Sequence, residues 1–360
     1  MNHVVLIGNG FDLAHGLKTS YMDFILWYMK NIGENVENAQ FYEDDIVKVV
    51  YEEKRELNPG YYQDLPKPIF QKGQLSNSPK ELFKNLVAKK YKPLFKSRFI
   101  EELFLTINDS NWVDIEYQYF SWLVWLYKAQ LDSKFKNAKS MLLELNKSYT
   151  EIIIQLEKYL SLIDINRDMN PKDDIHAHFA KIKNNSNILK NEKILIVNFN
   201  YTNSVNEYFD QNDNIDIIQI HGRLNDSKNP IVFGYGDEAD KYYDEIEKLN
   251  DNEYLRFMKS FGYAKTSNYQ DIIKFLNSDY EVHIMGHSCG LSDRLLLKRI
   301  FENKHCSKIN IYYYEISETE TDYINKYMDI SRHFSIDKKE IMREKITTKN
   351  HSLPLVKYKA

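Results

Sequence analysis

The 360-residue sequence contains only two cysteines, Cys289 and Cys306. Two cysteines cannot build a zinc ribbon from paired CxxC motifs, and so few are typical of a reduced compartment. The sequence also lacks an apolar run of transmembrane length, and its first three residues lack the basic segment of a signal peptide. We therefore expect a cytoplasmic protein that neither holds a metal ion nor associates with a membrane.

An excess of charge of one sign is absent as well. Lys and Arg number 48 against 52 Asp and Glu, which gives a formal net charge of −4. This balance predicts no general attraction to nucleic acid or to an acidic membrane surface. The hydrophobic content of 43% is sufficient for a sizeable core. Because the length exceeds that of a typical single domain, we expect one large domain with an insertion, or two lobes.

The first residues of the chain carry its most informative motif. Val4–Ile7 is an apolar run that predicts a buried strand, and Gly8-Asn9-Gly10 follows directly, before Phe11 and Asp12 open a helical turn. Glycines at such a junction let backbone N–H groups approach a pyrophosphate, next to the positive end of a helix. Leu13 stands where the dinucleotide fingerprint has its third glycine. The motif predicts a nucleotide or anion site, with a tight strand–helix turn that binds nothing as the alternative.

Helical periodicity dominates the next part of the chain. Ser20, with Asp23 three residues later, is typical of a capped helix start. Asp44–Leu57 also reads as helical, and Asn58–Pro79 reads as a long irregular loop, rich in proline and glycine. We therefore predict a large helical insertion at 37–190. The remaining parts, 1–36 and 191–360, are predicted to form one nucleotide-binding domain.

Apolar runs alternate with helical patterns in the last part of the chain. The runs that predict strands are 193–199, Ile215–Ile220, Ile231–Phe233, Glu281–Gly286 and Ile309–Ile316. Such alternation predicts an α/β fold, with a Rossmann-like parallel sheet and helices on both faces. Ligands of these sheets bind beyond the carboxyl ends of the strands. Four predicted strand ends carry the sequences GNGFD, NFNYT, HGR and GHSCG, so the polar chemistry is expected along one edge.

Several of these motifs together resemble one family. NGFDLAHGLKTSY, NFNYTNS, IHGRL, FGYGDE and MGHSCGLSD are similar to the signature blocks of AbiH, a bacterial family of phage abortive-infection proteins. AbiH proteins in turn resemble, more remotely, the sirtuin-like NAD-binding fold of antiphage effectors that deplete NAD. The resemblance implies a cytoplasmic antiphage effector that binds NAD or a related nucleotide and hydrolyses it to nicotinamide and ADP-ribose. The zinc cysteines of protein deacetylases are absent, which counts against deacetylation.

The resemblance also implies roles for individual residues. His221 would be the catalytic base, with Asn200 near the nicotinamide ribose, and an unperturbed histidine pKa of about 6.5 suits a base near neutral pH. The remaining residues implied to bind NAD come from all four motifs: Gly8, Asn9, Gly10, Phe11, Asp12, His15, Thr202, Gly222, Gly286, His287, Ser288 and Asp293. The alternative for His221 is a structural histidine bonded to a backbone carbonyl at a strand end.

Two further functions stay open at this point. GHSCG fits the G-x-S-x-G pattern of a serine hydrolase, which would use Ser288, the acid Asp293, and a later histidine: His305, His333 or His351. The third function is non-enzymatic, a module that senses a nucleotide or binds a partner. The predicted partners of the protein are a nucleotide ligand, a second copy of the chain, and a phage-derived trigger or partner defence protein.

Overall fold

The computed structural model describes residues 1–51, 79–105, 112–132, 137–185, 192–210 and 214–358. Contacts within it separate two compact units, unit 1 with residues 1–19 and 160–360, and unit 2 with residues 20–159. The predicted domain boundaries at 36 and 190 stay a prediction. Of the predicted loop Asn58–Pro79, all residues but Pro79, which begins a helix, lie outside the described part of the chain.

Strands and helices alternate along much of the described chain. Its strands are β1 Asn2–Ile7, β2 Phe41–Glu43, β3 Val47–Tyr51, β4 Tyr91–Phe95, β5 Ile194–Asn198, β6 Ile215–Gln219, β7 Tyr280–Met285, β8 Cys306–Tyr313 and β9 Leu353–Pro354. Its α-helices are α1 Asn9–Ala14, α2 Tyr21–Ala39, α3 Pro79–Ala88, α4 Arg98–Leu105, α5 Trp112–Leu131, α6 Ala138–Leu160, α7 Ile165–Asp168, α8 Asp173–Asn185, α9 Lys241–Glu247, α10 Lys259–Tyr263, α11 Asn268–Phe275, α12 Arg294–Phe301, α13 Tyr323–Ser331 and α14 Lys339–Lys345. Short 3-10 helices include Ser204–Tyr208 and Leu291–Asp293.

Unit 1 is built on a six-stranded sheet in the order β6-β5-β1-β7-β8-β9. Every neighbouring pair in it is parallel. Counted within unit 1 alone, this is the strand order 3-2-1-4-5-6 of the doubly wound dinucleotide-binding fold. All five residues of β5 are buried, as expected for a central parallel strand covered on both faces. The predicted Rossmann-like α/β fold is confirmed.

Helices cover both faces of this sheet. On one face Val4 and Leu6 pack in a core with residues of α11, α12, α13 and α14. On the other face Val5 and Ile7 pack with Phe11 and with residues of α8. The two cores follow from the two-residue repeat of a strand, which sends successive side chains of β1 to opposite sides.

The predicted strand Ile231–Phe233 is wrong. β6 pairs with β5 and ends the described sheet on that side, while residues 231–233 form no strand. Val232 N–H donates to His221 O at 2.8 Å, and Val232 and Phe233 are buried. These apolar residues therefore form a loop that packs in the core. Short apolar runs do not by themselves distinguish these two roles.

Unit 2 contains helices and also an antiparallel sheet, β2-β3-β4. The helix predicted for Asp44–Leu57 is therefore wrong where the structure describes it, because Val47–Tyr51 is a strand. Asp44 Oδ1 accepts hydrogen bonds from Ile46 N and Val47 N, both at 2.8 Å, which forms the turn between β2 and β3. Val47 and Val49 are buried, and Lys48 between them is half-buried. This two-residue period identifies a half-buried strand.

Candidate functional site

The carboxyl ends of β1 and β7 meet at the centre of the sheet of unit 1. From β1 the strand order proceeds to β5 and β6 on one side, and from β7 it proceeds to β8 and β9 on the other. The reversal creates a topological switch point between β1 and β7, which is where open α/β sheets bind their ligands. The predicted motifs GNGFD and GHSCG are the two loops that leave the sheet at this point.

These two loops pack directly on each other, and this contact explains their glycines. A Cβ atom added to Gly8 would lie 2.5 Å from His287 Cα, and one added to Gly10 would lie 2.7 Å from Gly286 O. Gly286 has a φ of +76°, and a Cβ atom there would lie 2.0 Å from Phe11 N. A side chain at any of these positions would separate the loops, so the glycines are required by close backbone approach.

The backbone N–H groups of the first loop have partners within the protein. Gly8 N–H donates to Met285 O at 3.3 Å, Gly10 N–H donates to Gly286 O at 2.8 Å, and Phe11 N–H donates to Gly8 O at 2.8 Å. In this conformation Gly8 N–H and Gly10 N–H hold the first loop against the end of β7 and the loop that follows it, whereas Phe11 N–H closes the turn within the first loop. A nucleotide phosphate at the switch point would have to be bound by other donors, or by these donors after the loops separate.

Asp12 joins the end of β1 to the end of β5. Its carboxylate accepts hydrogen bonds from Thr202 Oγ1 at 2.6 Å and from Ser204 Oγ at 2.5 Å. Asp12 is 1% exposed, and burial raises the pKa of its carboxyl to about 6, although the hydrogen bonds from Ser204, Thr202 and Asn200 act to lower it. This carboxyl therefore titrates close to neutral pH.

Two asparagines hold the same loops from either side. Asn200 is buried, and its Nδ2 donates to Gly8 O at 3.2 Å, while its own N–H donates to Asn198 Oδ1 at 2.9 Å. Asn9 is partly exposed, and its Oδ1 accepts a hydrogen bond from Thr19 Oγ1 at 2.6 Å. Asn9 is therefore partly accessible to solvent, whereas Asn200 is not.

His15 lies in the core under α1 and uses both ring nitrogens there. Nδ1 lies 2.6 Å from Phe11 O, and Nε2 lies 2.5 Å from Tyr208 Oη. Because a carbonyl only accepts, Nδ1 carries the proton and Tyr208 donates to Nε2, while Tyr208 Oη accepts from Lys172 N–H at 3.0 Å. Burial lowers the pKa of His15 to about 4, so the ring is neutral near pH 7.

His221 follows β6 and belongs to a buried charged cluster centred on Asp293. Asp293 Oδ1 accepts from Lys259 Nζ at 2.7 Å and from His221 Nε2 at 3.0 Å, and Asp293 Oδ2 lies 3.5 Å from His287 Nε2. All four side chains are buried. Because Nε2 faces a carboxylate in both histidines, each ring carries its proton there. Cys289 N–H donates to His287 Nδ1 at 2.9 Å, which requires that tautomer.

Electrostatics assign the charges within this cluster. Burial lowers the pKa of His221 and of His287, and so does the charge of Lys259, which keeps both imidazoles neutral. Burial alone would raise the pKa of the Asp293 carboxyl, but Lys259 and the two histidines hold it well below its usual range. The cluster is therefore one buried ion pair with two neutral histidines. Since Nε2 of His221 is protonated, its basic nitrogen is Nδ1.

Aromatic rings surround His221. Phe199 meets it edge-on with centroids 5.2 Å apart, Tyr263 is stacked at 6.4 Å, and Tyr201 lies at 6.3 Å. Gly222 then turns the chain with a φ of +90°, where a Cβ atom would lie 2.3 Å from Pro230 O. His221 is 7% exposed. Tyr201 is half-buried.

Comparison with protein families identifies the chain. A family model described as bacteriophage abortive infection AbiH matches residues 4–315. The chain belongs to the AbiH family. Membership implies a role in phage abortive infection. Comparisons with curated proteins and with solved structures gave no match. In the described part of this AbiH protein no helix has the length and apolar character needed to cross a membrane.

Ser288 of this AbiH protein is exposed, and the three histidines considered for a hydrolase have other partners. His333 Nε2 donates to Cys289 O at 2.8 Å, His305 pairs with Asp279 at 2.8 Å, and His351 Nδ1 lies 2.9 Å from Thr348 Oγ1. Asp279 directly precedes β7, so His305 lies at the opposite edge of the sheet from Ser288.

A cavity of about 500 Å³ lies beside the switch point rather than in it. Asp237 and residues of α12 line it, with Arg294 Nη1 3.1 Å from Asp237 Oδ2. None of the residues predicted to bind NAD lines this cavity. It begins next to the cluster, because Arg294 directly follows Asp293 in the chain.

Sequence reasoning missed two residues of these buried clusters, Lys259 and Ser204. Lys259 balances the charge of Asp293, and Ser204 donates to Asp12. Lys259 lies in an aromatic-rich stretch, YLRFMKSFGY, whose only other charged residue is Arg256. Buried lysines are normally paired, so this composition was a usable signal. Ser204 lies two residues beyond Thr202 and had no such signal.

Proposed function

We propose that this AbiH protein acts in phage defence by binding NAD, or a related nucleotide, at the switch point between β1 and β7. There it would hydrolyse the N-glycosidic bond to release nicotinamide and ADP-ribose. The observation that carries the proposal is the convergence of four polar strand ends at the switch point of a sheet with dinucleotide-binding strand order. The likeness to sirtuin-type domains and the cytoplasmic location are part of the same proposal.

Binding would use the accessible residues of the two central loops. Asn9, Gly10 and Gly286 are partly exposed and Ser288 is exposed. Amide, hydroxyl and backbone groups of this kind hydrogen bond phosphates and ribose hydroxyls without requiring a cation. Asp12, Thr202 and His15 would keep the loops in place, since their polar atoms already have partners inside the protein.

The chemical step would use His221 as the base. Water attacks the anomeric carbon of the nicotinamide ribose, the bond to the positively charged nicotinamide breaks, and nicotinamide leaves as a neutral molecule. The proton of the water passes to Nδ1 of His221. In the tautomer described above the ring is neutral and Nδ1 carries a lone pair that can accept this proton. Asp293 would orient the ring and stabilise its charged form, as a carboxylate does for a catalytic histidine.

Turnover in this arrangement requires an opening. His221 and Asn200 are both buried, and the half-buried ring of Tyr201 lies 6.3 Å from that of His221. A protein that destroys NAD must be inactive in the uninfected cell, and a closed site meets that need. We therefore expect activity to depend on a trigger, such as a phage product, a partner defence protein or self-association.

Nucleotide analysis by mass spectrometry tests the proposal. The purified full chain is incubated with NAD, with and without lysate from phage-infected cells, and nicotinamide and ADP-ribose are measured. His221→Ala and Asn200→Ala should each lower NAD loss by at least about a hundredfold. His305→Ala, at the other edge of the sheet, is the matched control and should be unchanged. Equal NAD loss in wild type and His221→Ala would show that another residue is the base.

Calorimetry separates binding from turnover. Asn9→Ala and Ser288→Ala, which remove exposed polar groups, should each weaken NAD binding by roughly tenfold at most. Substitutions of Gly10 are unsuitable, because a side chain there would displace Gly286. Binding without turnover in any condition would favour the nucleotide-sensing module. Stoichiometric labelling of Ser288 by a fluorophosphonate would favour the hydrolase instead.

A further inference from the structure

A second group of chemically reactive side chains lies at the amino-terminal part of the same two central strands. His3 is the second residue of β1, and its register partner on β7 is Glu281, with His283 two residues further. Because side chains two residues apart share one face of a sheet, the three project to the same side. One ligand atom from each residue lies within 4.8 Å of the others.

The two imidazoles approach as closely as a pair of metal ligands. His3 Nδ1 lies 3.1 Å from His283 Nε2. Two nitrogens bound at about 2.0–2.1 Å to one tetrahedral zinc ion lie roughly 3.3 Å apart. The measured separation is near this value. Glu281 adds the negative charge that two neutral imidazoles lack.

Neighbouring groups support the ligand atoms in the way outer-shell groups do at metal centres. Tyr312 Oη lies 3.4 Å from His283 Nδ1, the nitrogen that does not face His3. Asn310 Nδ2 donates to Glu281 Oε2 at 3.3 Å. A ligand histidine commonly donates its second N–H to an oxygen, and a ligand carboxylate is commonly hydrogen bonded. Two of the three residues, His283 and Glu281, therefore have such partners.

A simple hydrogen bond between the two histidines is the alternative role of this contact. His3 is 3% exposed, and its Nε2 has no hydrogen-bond partner among the described residues. Burial lowers the pKa of His3 and lowers that of His283 to about 3, so both rings are neutral near pH 7. Neutral imidazole is the form that binds a metal ion, so no proton has to be displaced from either ring.

We propose that His3, Glu281 and His283 form a binding site for one divalent transition-metal ion of the Zn²⁺ type, which ties β1 to β7. Two imidazoles and one carboxylate suit such an ion, and they leave a fourth position for water. His3 lies five residues before Gly8, a separation of roughly 16 Å along a strand. The ion therefore stabilises the central strand pair and takes no part in NAD chemistry. Cysteine counting could not find it, because its ligands are His and Glu.

Metal titration of the full chain without a polyhistidine tag tests the site. The protein is treated with chelator, and Co²⁺ is added while its visible absorption is recorded. Wild type should bind one Co²⁺ per chain, and Zn²⁺ should displace it. Glu281→Gln should weaken binding at least tenfold, and His283→Gln should abolish it. His305→Gln is the control, because it removes a more accessible histidine near the same edge and should leave the stoichiometry at one.

Glu281→Gln keeps the test decisive if His283→Gln does not fold, because Glu281 is only half-buried. Thermal unfolding adds a second readout, in which Zn²⁺ should raise the midpoint of wild type more than that of Glu281→Gln. Wild type that binds no Co²⁺ at micromolar concentration overturns the proposal. Loss of binding in His305→Gln, or equal binding in wild type and Glu281→Gln, overturns it too. These outcomes do not depend on NAD, so they leave the proposed function unaffected.

Discussion

Replacing Asp12 by Asn should change how the free energy of unfolding depends on pH. Burial raises the pKa of this carboxyl from 3.8 to about 6 in the folded protein. A raised pKa means that the folded state binds the proton more tightly than the unfolded state does. The carboxyl therefore favours folding most at pH values below 3.8, and this contribution is lost as the pH rises toward 6.

The magnitude follows from the shift. Each pKa unit corresponds to about 1.36 kcal/mol, so Asp12 costs about 3 kcal/mol at pH 7.5 relative to the protonated side chain. About 2 kcal/mol of this difference develops between pH 4.5 and pH 7.5. Asn at this position has no charge to bury. As the pH rises from 4.5 to 7.5, we expect the free energy of unfolding of Asp12→Asn to increase by about 2 kcal/mol relative to that of wild type.

Hydrogen exchange measured by mass spectrometry is the suitable assay, on peptides that cover β1 and β5. Tryptophan fluorescence would not serve, because the four tryptophans, Trp27, Trp112, Trp122 and Trp125, all belong to unit 2. Wild type and variant share every other titrating group, so their difference isolates Asp12. Asp216→Asn, an exposed aspartate on β6, is the control and should show no pH-dependent difference.

A free-energy difference that does not change with pH would contradict this prediction. If the free energies of unfolding of wild type and Asp12→Asn differ by the same amount at pH 4.5 and pH 7.5, then burial does not raise the pKa of Asp12. If wild type instead becomes more stable relative to Asp12→Asn as the pH rises, the pKa of Asp12 is lowered in the folded protein rather than raised. In that case the hydrogen bonds from Thr202 and Ser204 would outweigh the cost of burial.

Substitutions at Gly286, Gly33 and Lys259 test the glycine packing in the two units and the buried ion pair of unit 1. Gly286→Ala should destabilise unit 1 by more than about 3 kcal/mol, because its Cβ atom would strike Phe11 N and its φ is positive. Gly33→Ala, in α2 with open space around it, should stabilise unit 2 by about 0.5–1 kcal/mol. Similar thermal midpoints for the two variants would contradict this. Lys259→Met should cost about 3–5 kcal/mol by leaving Asp293 buried and unpaired. Adding Asp293→Asn should recover part of that loss in the same thermal assay, and no recovery would show that the ion pair is not the cause.

Much of the fold could be predicted because its signals are local. The apolar runs of β1, β5, β7 and β8 are continuous, as strands buried on both faces require. Ser20 and Asp23 form the predicted capping box, with Asp23 N donating to Ser20 Oγ and Ser20 N to Asp23 Oδ2, both at 3.1 Å. Failures occurred at a short apolar run, Ile231–Phe233, and at a charged stretch, Asp44–Leu57, where the two-residue period of Val47–Tyr51 spans too few residues to stand out from the surrounding charged residues.

The candidate site could also be predicted only in part. Motifs at strand ends predicted which residues converge, because the carboxyl ends of parallel strands share one edge. They did not predict that Gly8, Gly10 and Gly286 serve the contact between two loops.

The fold class, the family and the edge of the sheet where polar residues gather could all be predicted from the amino-acid sequence, because they depend on periodicity and on strand–turn–helix order. Which charged groups meet depends on the folded chain. His221 pairs with Asp293 across 72 positions of the chain, and His3 meets His283 across 280. Charge pairing, burial and the resulting pKa values depend on distances in space. No local pattern encodes those distances, because they are set by how the strands order themselves in the sheet.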